Sequence, residues 1–308
     1  MTLIVNITTP EGIVMASDSR QTQRSTSQMT RISTNNAYKL FAINNRILVG
    51  TAGLAFFADN TGVQKNVSKY VEDYCNSTNQ KNLTVKEIAT QLHAYLNKKY
   101  PWEQQLEMSA QQLKIDAQHN GAQVLSLEKV NDAIDFRIKQ PNGRIEEGHL
   151  NAEPINLLVS GFNKNGLSET YELCIPGKVI LKRKTNDFGC VWIGQGDLVA
   201  RMIIGYDKKI MNTPIFQKVL ATTPQDELIK QLRGVEYTIP WPLLTLQDAI
   251  DLAVFLIKST EMIQRFADGT NMDNGEIQGV GGPIDVAVIT QEDGIQWIKR
   301  KQIGFPEE

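Results

Sequence analysis

The sequence predicts an α+β protein in which helices lie outside two antiparallel sheets. Segments with strand patterns and segments with helix patterns are grouped along the chain, in the order strands, helices, strands, helices, strands. Grouped elements of this kind are typical of α+β folds. The strand segments carry near-continuous apolar runs, as expected when helices cover the outer faces of two stacked sheets.

The composition is that of an ordinary globular protein. The chain has 308 residues, of which 41% are apolar and 21% charged, with a net charge of −2. No basic patch favours nucleic acid, no apolar run approaches the roughly 18–20 residues of a membrane span, and no signal peptide precedes the first strand. Three widely spaced cysteines without a CxxC pair favour a reducing cytoplasm. The isolated residues His93, His119 and His149 predict no metal site, and no cofactor is expected.

The N-terminal fifty residues predict four strands. Residues 2–8 and 13–18 form a hairpin across Pro10-Glu11-Gly12, and residues 39–43 and 46–51 form a second hairpin across Asn44-Asn45. The intervening residues 19–37 are polar and aperiodic, which predicts a long loop.

Two helices are expected next. Gly53 ends the fourth strand, and a helix follows directly, with apolar residues at spacings of three and four: Val63, Val67, Tyr70, Val71 and Tyr74. The second helix begins with a capping box from Thr84 to Glu87 and is stopped or kinked by Pro101. Between residues 102 and 152 the pattern predicts strands over residues 122–127 and 133–139, followed by a turn at Pro141-Asn-Gly143.

The second half predicts strands, helices and a last hairpin. The strands cover residues 155–162, 169–174, 179–182 and 189–193. The helices begin at Gly194-Gln195-Gly196, at Thr223-Pro224 and at Thr245. The last of these helices is apolar on most faces, so we expect it to be buried between layers. The final hairpin covers residues 284–290 and 295–299.

A nucleophile is predicted at the N-terminus. Initiator Met is normally removed before a small residue, and removal of Met1 would place a hydroxyl and a free amine together on Thr2. The amine can accept the hydroxyl proton, as in N-terminal-threonine hydrolases. The hairpin brings Asp18 to the same end of the sheet as Thr2, and Lys39 and Gly53 are expected at that rim. The charge of Lys39 would lower the pKa of the amine, and the Gly53 N–H would approach an oxyanion.

The N-terminal residues resemble the catalytic β subunits of the proteasome and the related bacterial HslV peptidase, both of which are N-terminal-nucleophile (Ntn) hydrolases. The resemblance rests on Thr2, on the segment MASDSRQT around Asp18, on YKLFAI at Lys39, on GTAGLA at Gly53 and on GGPIDVAVIT near the C-terminus. It implies a four-layer αββα Ntn-hydrolase sandwich, with residues 1–308 as one domain that carries insertions at about 102–152 and 213–244.

The resemblance also implies the roles of individual residues. Thr2 would be nucleophile and base, Asp18 and Lys39 would tune it, Gly53 would supply the oxyanion N–H, and Thr22 would bind the substrate backbone. A roughly neutral specificity pocket would be lined by Gln21, Ala37, Phe41, Thr51 and Ala55. The chain departs from the family where a serine is common in a Gly-Ser-Gly turn, since residue 195 is Gln195. It departs again where an aspartate and a serine precede the last strand, since Ile277 and Val280 stand there. Asp273 or Glu276 are candidate substitutes.

The sequence therefore predicts a threonine-type endopeptidase or amidohydrolase that is matured by removal of Met1 alone and acts through an acyl-enzyme. Two alternatives stay open: a transpeptidase resembling connectases, in which an amine resolves the acyl-enzyme, and an inactive ring-forming scaffold. The resemblance implies a peptide or protein substrate and a homo-oligomer, for example a ring. It identifies no unfoldase partner, and no nucleic acid or membrane partner is expected.

Overall fold

A computed structural model describes residues 2–24, 30–59, 61–77, 80, 82–267 and 277–302. In chain order the strands are β1 (Leu3–Thr9), β2 (Gly12–Ser17), β3 (Gln21–Arg24), β4 (Thr30–Thr34), β5 (Leu40–Ile43), β6 (Ile47–Gly53), β7 (Phe56–Ala58), β8 (Gln64–Asn66), β9 (Gln123–Val130), β10 (Ala133–Lys139), β11 (Ile145–Asn151), β12 (Ile155–Phe162), β13 (Ser168–Ile175), β14 (Val179–Lys184), β15 (Gly189–Gly194), β16 (Asp285–Thr290) and β17 (Gly294–Lys299). The α-helices are α1 (Val67–Ser77), α2 (Val85–Lys99), α3 (Trp102–His119), α4 (Asp197–Ile203), α5 (Lys208–Met211), α6 (Pro214–Leu220), α7 (Gln225–Leu232) and α8 (Leu246–Phe266). Short 3₁₀ helices cover Arg233–Val235 and Trp241–Leu243.

The strands of the described residues form five sheets, whereas the sequence predicted two. Two sheets have five strands each: the N-terminal sheet, in the order β15-β1-β2-β16-β17, and the central sheet, in the order β14-β13-β12-β6-β5. Their pairings are antiparallel, as predicted. The smaller sheets are β11-β10-β9, β3-β4 and β7-β8. The two-sheet description is therefore incomplete.

Buried apolar clusters lie on both faces of each large sheet. One cluster joins the two sheets, with Ile4 and Met15 from the N-terminal sheet and Leu48 and Leu158 from the central sheet. A second lies between the central sheet and helices α1 and α2, and a third between the N-terminal sheet and α8. The apolar runs seen in the sequence thus reflect strands that are covered on both faces.

The register of the first hairpin confirms the predicted pairing of the N-terminus. Ile4 is opposite Ser17, and Thr9 is opposite Gly12. The backbone N–H of Asp18 donates to the Leu3 carbonyl at 3.3 Å, which extends the pairing by one step. Thr2 and Asp18 therefore lie at the same end of the N-terminal sheet.

Two predictions for residues 19–66 are wrong. The expected loop over residues 19–37 contains the antiparallel ribbon β3-β4, whose outer strand β4 is largely exposed and therefore lacks the apolar alternation that signals a strand. The helix expected directly after Gly53 begins only at Val67, because the hairpin β7-β8 comes first. Val63 precedes the helix and is exposed.

Residues 102–152 form a helix and a small sheet. Pro101 ends α2 as predicted, but the helix α3 begins immediately after it and was not predicted. Strands β9 and β10 confirm the predicted pair, and the Pro141-Asn-Gly143 turn leads into β11. The sheet packs on α3 through Leu106, Ile134 and Ala152.

Helix α8 confirms its predicted start but not its predicted burial. Thr245 and Asp248 form a capping box at its N-terminus. One face packs on β1 and β2 through residues such as Ala253 and Ile257. The opposite face carries exposed apolar side chains, with Phe255 53% and Phe266 73% accessible, so α8 covers one sheet and is not enclosed between two layers. In the described ranges no helix has the length and apolarity needed to span a bilayer.

The close approach of the two large sheets gives a testable stability prediction. A Cβ at Gly50 would lie 2.8 Å from Cγ2 of Ile4 and 3.1 Å from Sδ of Met15. We expect Gly50→Val to lower the free energy of unfolding by about 1–3 kcal/mol, because the inter-sheet core would be overpacked. Urea unfolding measures this, with Gly234→Val as the matched control because that glycine has open space around it. Equal stability of the two variants would contradict the packing described.

Candidate active site

The carboxylate of Asp18 lies at the centre of the site. Asp18 directly follows β2 and is fully buried. Its Oδ1 accepts from the Leu3 N–H at 3.0 Å and from Nζ of Lys39 at 2.8 Å. Its Oδ2 accepts from the N–H groups of Arg20 at 3.1 Å and Gly281 at 3.0 Å. Hydrogen bonds of this number compensate the loss of water around a buried carboxylate.

The ammonium of Lys39 is the charged partner of Asp18. Lys39 stands just before β5 and is buried, and its Nζ also donates to the carbonyl of Arg20 at 2.6 Å. Burial lowers the pKa of Lys39, because desolvation disfavours the charged form. The charge and hydrogen bond of Asp18 oppose this shift, whereas the positive charges of Lys301 and Arg20 add to it. The predicted meeting of Asp18 and Lys39 is present in the structure.

Thr2 is held next to this pair through the backbone. Thr2 is 7% exposed, and its carbonyl accepts from the Gln195 N–H at 2.7 Å. The following amide, that of Leu3, is one of the donors to Asp18. The residue predicted as nucleophile is therefore one peptide unit away from the carboxylate, while Met1 lies outside the described residues.

Gly194 allows the chain to approach the Thr2 carbonyl closely. Its φ is +90°, and a Cβ at this position would lie 1.9 Å from the Thr2 oxygen and 3.5 Å from Cβ of Ala52. A side chain at residue 194 is therefore excluded. The same geometry places the end of β6, where Ala52 precedes Gly53, beside the Thr2 end of β1.

Gly53 lies at the end of β6, but its surroundings differ from those predicted. It is followed by the hairpin β7-β8, so the strand-to-helix turn expected there is absent. Its φ is +86°, and a Cβ would lie 2.1 Å from the Pro154 carbonyl oxygen. Contact with Pro154 is thus a structural reason for glycine at residue 53, independent of any oxyanion.

Three of the residues predicted to line a specificity pocket, Ala37, Thr51 and Ala55, form backbone hydrogen bonds with other segments. The Ala37 N–H donates to the Ser19 carbonyl, and the Thr51 N–H to the Lys39 carbonyl, both at 2.9 Å. Ala55 accepts at its carbonyl from Val67 at 2.8 Å.

Gln21 and Phe41 occupy different surroundings. Oε1 of Gln21 accepts from the Asn66 amide at 3.0 Å, which ties β3 to β8. Phe41 is buried in the cluster beneath α1 and α2. Thr22, the predicted contact for the substrate backbone, follows Gln21 in β3 and is partly exposed.

Gln264 is a site residue that sequence reasoning missed. Its Oε1 accepts from the N–H groups of Gly279 at 3.1 Å and Val280 at 2.9 Å, which identifies that atom as the oxygen. Its Nε2 therefore donates, and it does so to Oε1 of Gln195 at 2.8 Å. One side chain from α8 thus connects the turn that binds the Thr2 carbonyl to the segment that leads to Gly281 and Asp18.

This connection bears on the departures from the family pattern. Gln195 stands where a serine is common, and it is bonded through both its backbone and its side chain. Val280 contributes a backbone N–H where a polar side chain was expected. Asp273 and Glu276, the candidate substitutes, lie outside the described residues. No local signal in the sequence marks Gln264, because the last turns of α8 also contain Lys258, Glu261 and Arg265.

Burial raises the pKa of all three cysteine thiols. Burial raises the pKa of Cys190 to about 12 and that of Cys75 to about 11, so both thiols stay protonated near neutral pH. Nε2 of His93 lies 3.1 Å from the Cys174 carbonyl, a structural contact. Among the described residues no group of histidine, cysteine and carboxylate side chains could hold a metal ion.

The fold and the buried Asp18–Lys39 pair define an α+β protein whose N-terminal threonine region is anchored to a charged site. Residues 2–118 match the family model described as Proteasome subunit. The resemblance to proteasome subunits is therefore confirmed over residues 2–118, which form helices and antiparallel strands.

Solved structures and curated proteins complete the comparison. The chain is similar to Anbu (ancestral beta-subunit) from Yersinia bercovieri, with 16% identity and a TM-score of 0.48 over 96% of this chain and 87% of that one. It is also similar to the Anbu (Gly-1) mutant from Hyphomicrobium sp. strain MC1, with 14% identity and a TM-score of 0.47 over 100% and 89% of the two chains. No curated protein matches the sequence.

The buried charge pair gives the second prediction. Asp18→Asn removes the counter-ion of Lys39 and places an amide N–H₂ among N–H donors. We expect the free energy of unfolding to fall by about 3–5 kcal/mol, as when one partner of a buried ion pair is removed. Urea unfolding measures the change, and Asp251→Asn on the exposed face of α8 is the control. A variant as stable as the wild type would show that Asp18 does not carry this role.

The third prediction concerns Gln264. Gln264→Leu keeps the side-chain size but leaves the Gly279 and Val280 amides without their acceptor. We expect a loss of about 1–2 kcal/mol in stability and faster hydrogen exchange at those two amides. Gln247→Leu on the same helix, where the side chain donates to the carboxylate of Asp251, should change neither. Unchanged exchange at Gly279 and Val280 would refute the connection.

Proposed function

We propose that the chain is an N-terminal-threonine peptidase or amidohydrolase of the proteasome β-subunit type, with Thr2 as nucleophile after removal of Met1. One observation carries the proposal. The buried Asp18–Lys39 pair is hydrogen-bonded to the backbone of Leu3, the residue that follows the candidate nucleophile. A buried carboxylate and ammonium thus lie one peptide unit from the residue whose amine would be freed by removal of Met1.

The chemistry follows from the groups on Thr2. Its amine would accept the hydroxyl proton while the hydroxyl oxygen attacks the substrate carbonyl. The same proton would pass to the departing amine as the C–N bond breaks, which leaves an ester on Thr2. Water would then add to the ester and release the acid. Lys39 would favour the neutral form of the amine through its charge, and the N–H of Gly53 would stabilise the oxyanion.

The substrate would be a peptide or protein. Thr22 would bind its backbone, and the neutral residues Gln21, Ala37, Phe41, Thr51 and Ala55 would line the pocket for one of its side chains. A cavity of about 410 Å³ opens beside the Gly194–Gln195 turn, between α4 and α8, and offers room near the Thr2 carbonyl. No metal or cofactor takes part in this mechanism.

The architecture and assembly belong to the same proposal. The two large sheets with helices outside would form the four-layer αββα sandwich of Ntn hydrolases, as one domain with insertions at about 102–152 and 213–244. Proteasome-type subunits generally form oligomeric rings, which supports a homo-oligomer. The proposed location of this assembly is the cytoplasm. The exposed apolar face of α8 would be available for such assembly.

The fourth prediction tests the nucleophile. Intact-mass measurement should show a chain shorter by Met1, and a peptide with a C-terminal β-lactone should add one adduct, mapped to Thr2. Thr2→Ala should abolish the adduct, because the nucleophilic hydroxyl is removed while the small residue at position 2 still permits removal of Met1. Thr222→Ala, at an exposed turn, is the control and should be labelled like the wild type. Retention of Met1 would rule out the mechanism.

Product analysis then separates the possible outcomes. A peptide substrate should give the free acid in water, and the proposal expects this acid even when a second peptide amine is added. If the product is instead an amide formed quantitatively with the added amine, the chain is the connectase-like transpeptidase and not a hydrolase. A chain without Met1 that neither labels nor cleaves would instead be the inactive scaffold.

A further inference from the structure

A second buried ion pair lies beside the first. Nζ of Lys301 contacts Oδ2 of Asp285, and the Lys301 backbone N–H donates to Oδ1 of the same carboxylate at 2.8 Å. Only 4% of the Lys301 side chain and 1% of the Asp285 side chain are accessible. Neither residue was identified from the sequence as part of a site.

The backbone brings the two pairs together. Asp285 begins β16 and is opposite Ser17 of β2, the residue that precedes Asp18. Between Gly281 and Asp285 the chain is bonded to the segment after β2. The Gly281 carbonyl accepts from the N–H groups of Ser19 at 3.0 Å and Arg20 at 2.7 Å. Oγ of Ser19 donates to the Pro283 carbonyl at 2.5 Å.

The C-terminal segment also contacts the residue before Lys39. The hydroxyl of Tyr38 donates to the Lys301 carbonyl at 3.2 Å, and Nζ of Lys301 lies 4.7 Å from the centre of the Tyr38 ring. The Arg300 guanidinium lies 5.1 Å from the same ring and 3.8 Å from the ring of Trp297. The C-terminal segment, which lies outside the central sheet, thus holds the backbone next to Lys39.

Stability alone does not explain a charged contact at this position. A buried ion pair is often no more stabilising than apolar side chains of the same volume, because both charges lose their hydration. A tail that served only to cover Tyr38 could be apolar. Charge at residues 285 and 301 therefore indicates an electrostatic role toward the charged groups nearby.

We propose that Asp285 and Lys301 form a second charge pair of the candidate site, which positions Tyr38 and Lys39 and sets the charge balance around the Lys39 ammonium. Lys301 is in this view a positioning residue, since it acts through Lys39. Only the catalytic consequence rests on the proposed function. The effect on Lys39 itself is independent of any activity.

The charges that face the two lysines make the direction of the effect definite. Asp18 favours the ammonium of Lys39, whereas Arg20 and Lys301 oppose it and lower its pKa together with burial. Burial also lowers the pKa of Lys301, with Arg300 adding to the shift and Asp285 and Asp18 opposing it. Removal of the positive charge at residue 301 should therefore raise the pKa of Lys39.

The experiment is an NMR titration of Lys39 in protein with ¹³C-labelled lysine side chains, assigned with Lys39→Arg. We expect Lys301→Gln to raise the pKa of Lys39 by about half to one pH unit, from the loss of one nearby charge. Lys301→Arg keeps the positive charge, so the pKa of Lys39 should equal that of the wild type. Lys299→Gln, which removes an exposed charge two residues away, should have no effect.

Folding of the variants does not decide the test. If Lys301→Gln fails to fold, a double variant with Asp285→Asn and Lys301→Gln replaces both charges by amides. Its Lys39 pKa should also be higher than that of the wild type, by a smaller amount. The proposal would be overturned if a folded variant is less stable but its Lys39 pKa equals that of the wild type. The Asp285–Lys301 pair would then be a structural contact only.

The pH profile of β-lactone labelling distinguishes this proposal from the proposed function. If wild-type Thr2 is labelled, the limb that reports Lys39 deprotonation should move to higher pH in Lys301→Gln and return in Lys301→Arg. A limb that stays in place would overturn the catalytic consequence. If wild-type Thr2 is not labelled, the proposed function fails, while the NMR titration still decides the coupling of the two pairs.

Discussion

The buried carboxylate of Asp18 is the group on which the arrangement of the N-terminal end depends. Its donors come from four segments: the start of β1, the residue before β5, the turn after β2 and the segment before β16. Each of these segments would otherwise end at the rim of a sheet, where chain ends are loosely held. A carboxylate taken out of water must be saturated with donors, and this requirement draws the four segments to one point.

The parts of the fold that could be predicted are those encoded by local patterns. Alternation, turn residues and capping boxes identified the first hairpin, helix α2 and the last hairpin, because each depends on neighbours in sequence. Asp18 and Lys39 could be paired in advance because each stands at a strand end of a recognisable hairpin. The ribbon β3-β4 was missed because its exposed strand β4 lacks the apolar alternation on which prediction relies. Helix α3 does carry apolar residues at a spacing of four, Trp102, Leu106 and Ala110, and was overlooked between Pro101 and the strands that follow.

The contacts that complete the site could not be predicted in this way. Asp285 pairs with Ser17 and Lys301 with Tyr38, each more than 260 residues away in sequence, and Gln264 joins Gln195 to the residues before Gly281. These contacts exist only after α8 and β16 have packed on the first sheet. Nothing local distinguishes Lys301 from the exposed Lys299. The two lysines differ in their burial, which the tertiary structure creates. The local sequence pattern of a solvated charge is the same as that of a site residue.

The anchoring of Thr2 has a consequence for the order of events in maturation. Its carbonyl is bound by the Gln195 amide, and the next amide by Asp18, so two hydrogen bonds hold the residue from its C-terminal side. Cleavage of the bond to Met1 would release an amine without cutting either tether. If Met1 is removed as proposed, trimming of a single residue would unmask the amine and leave both of these hydrogen bonds in place.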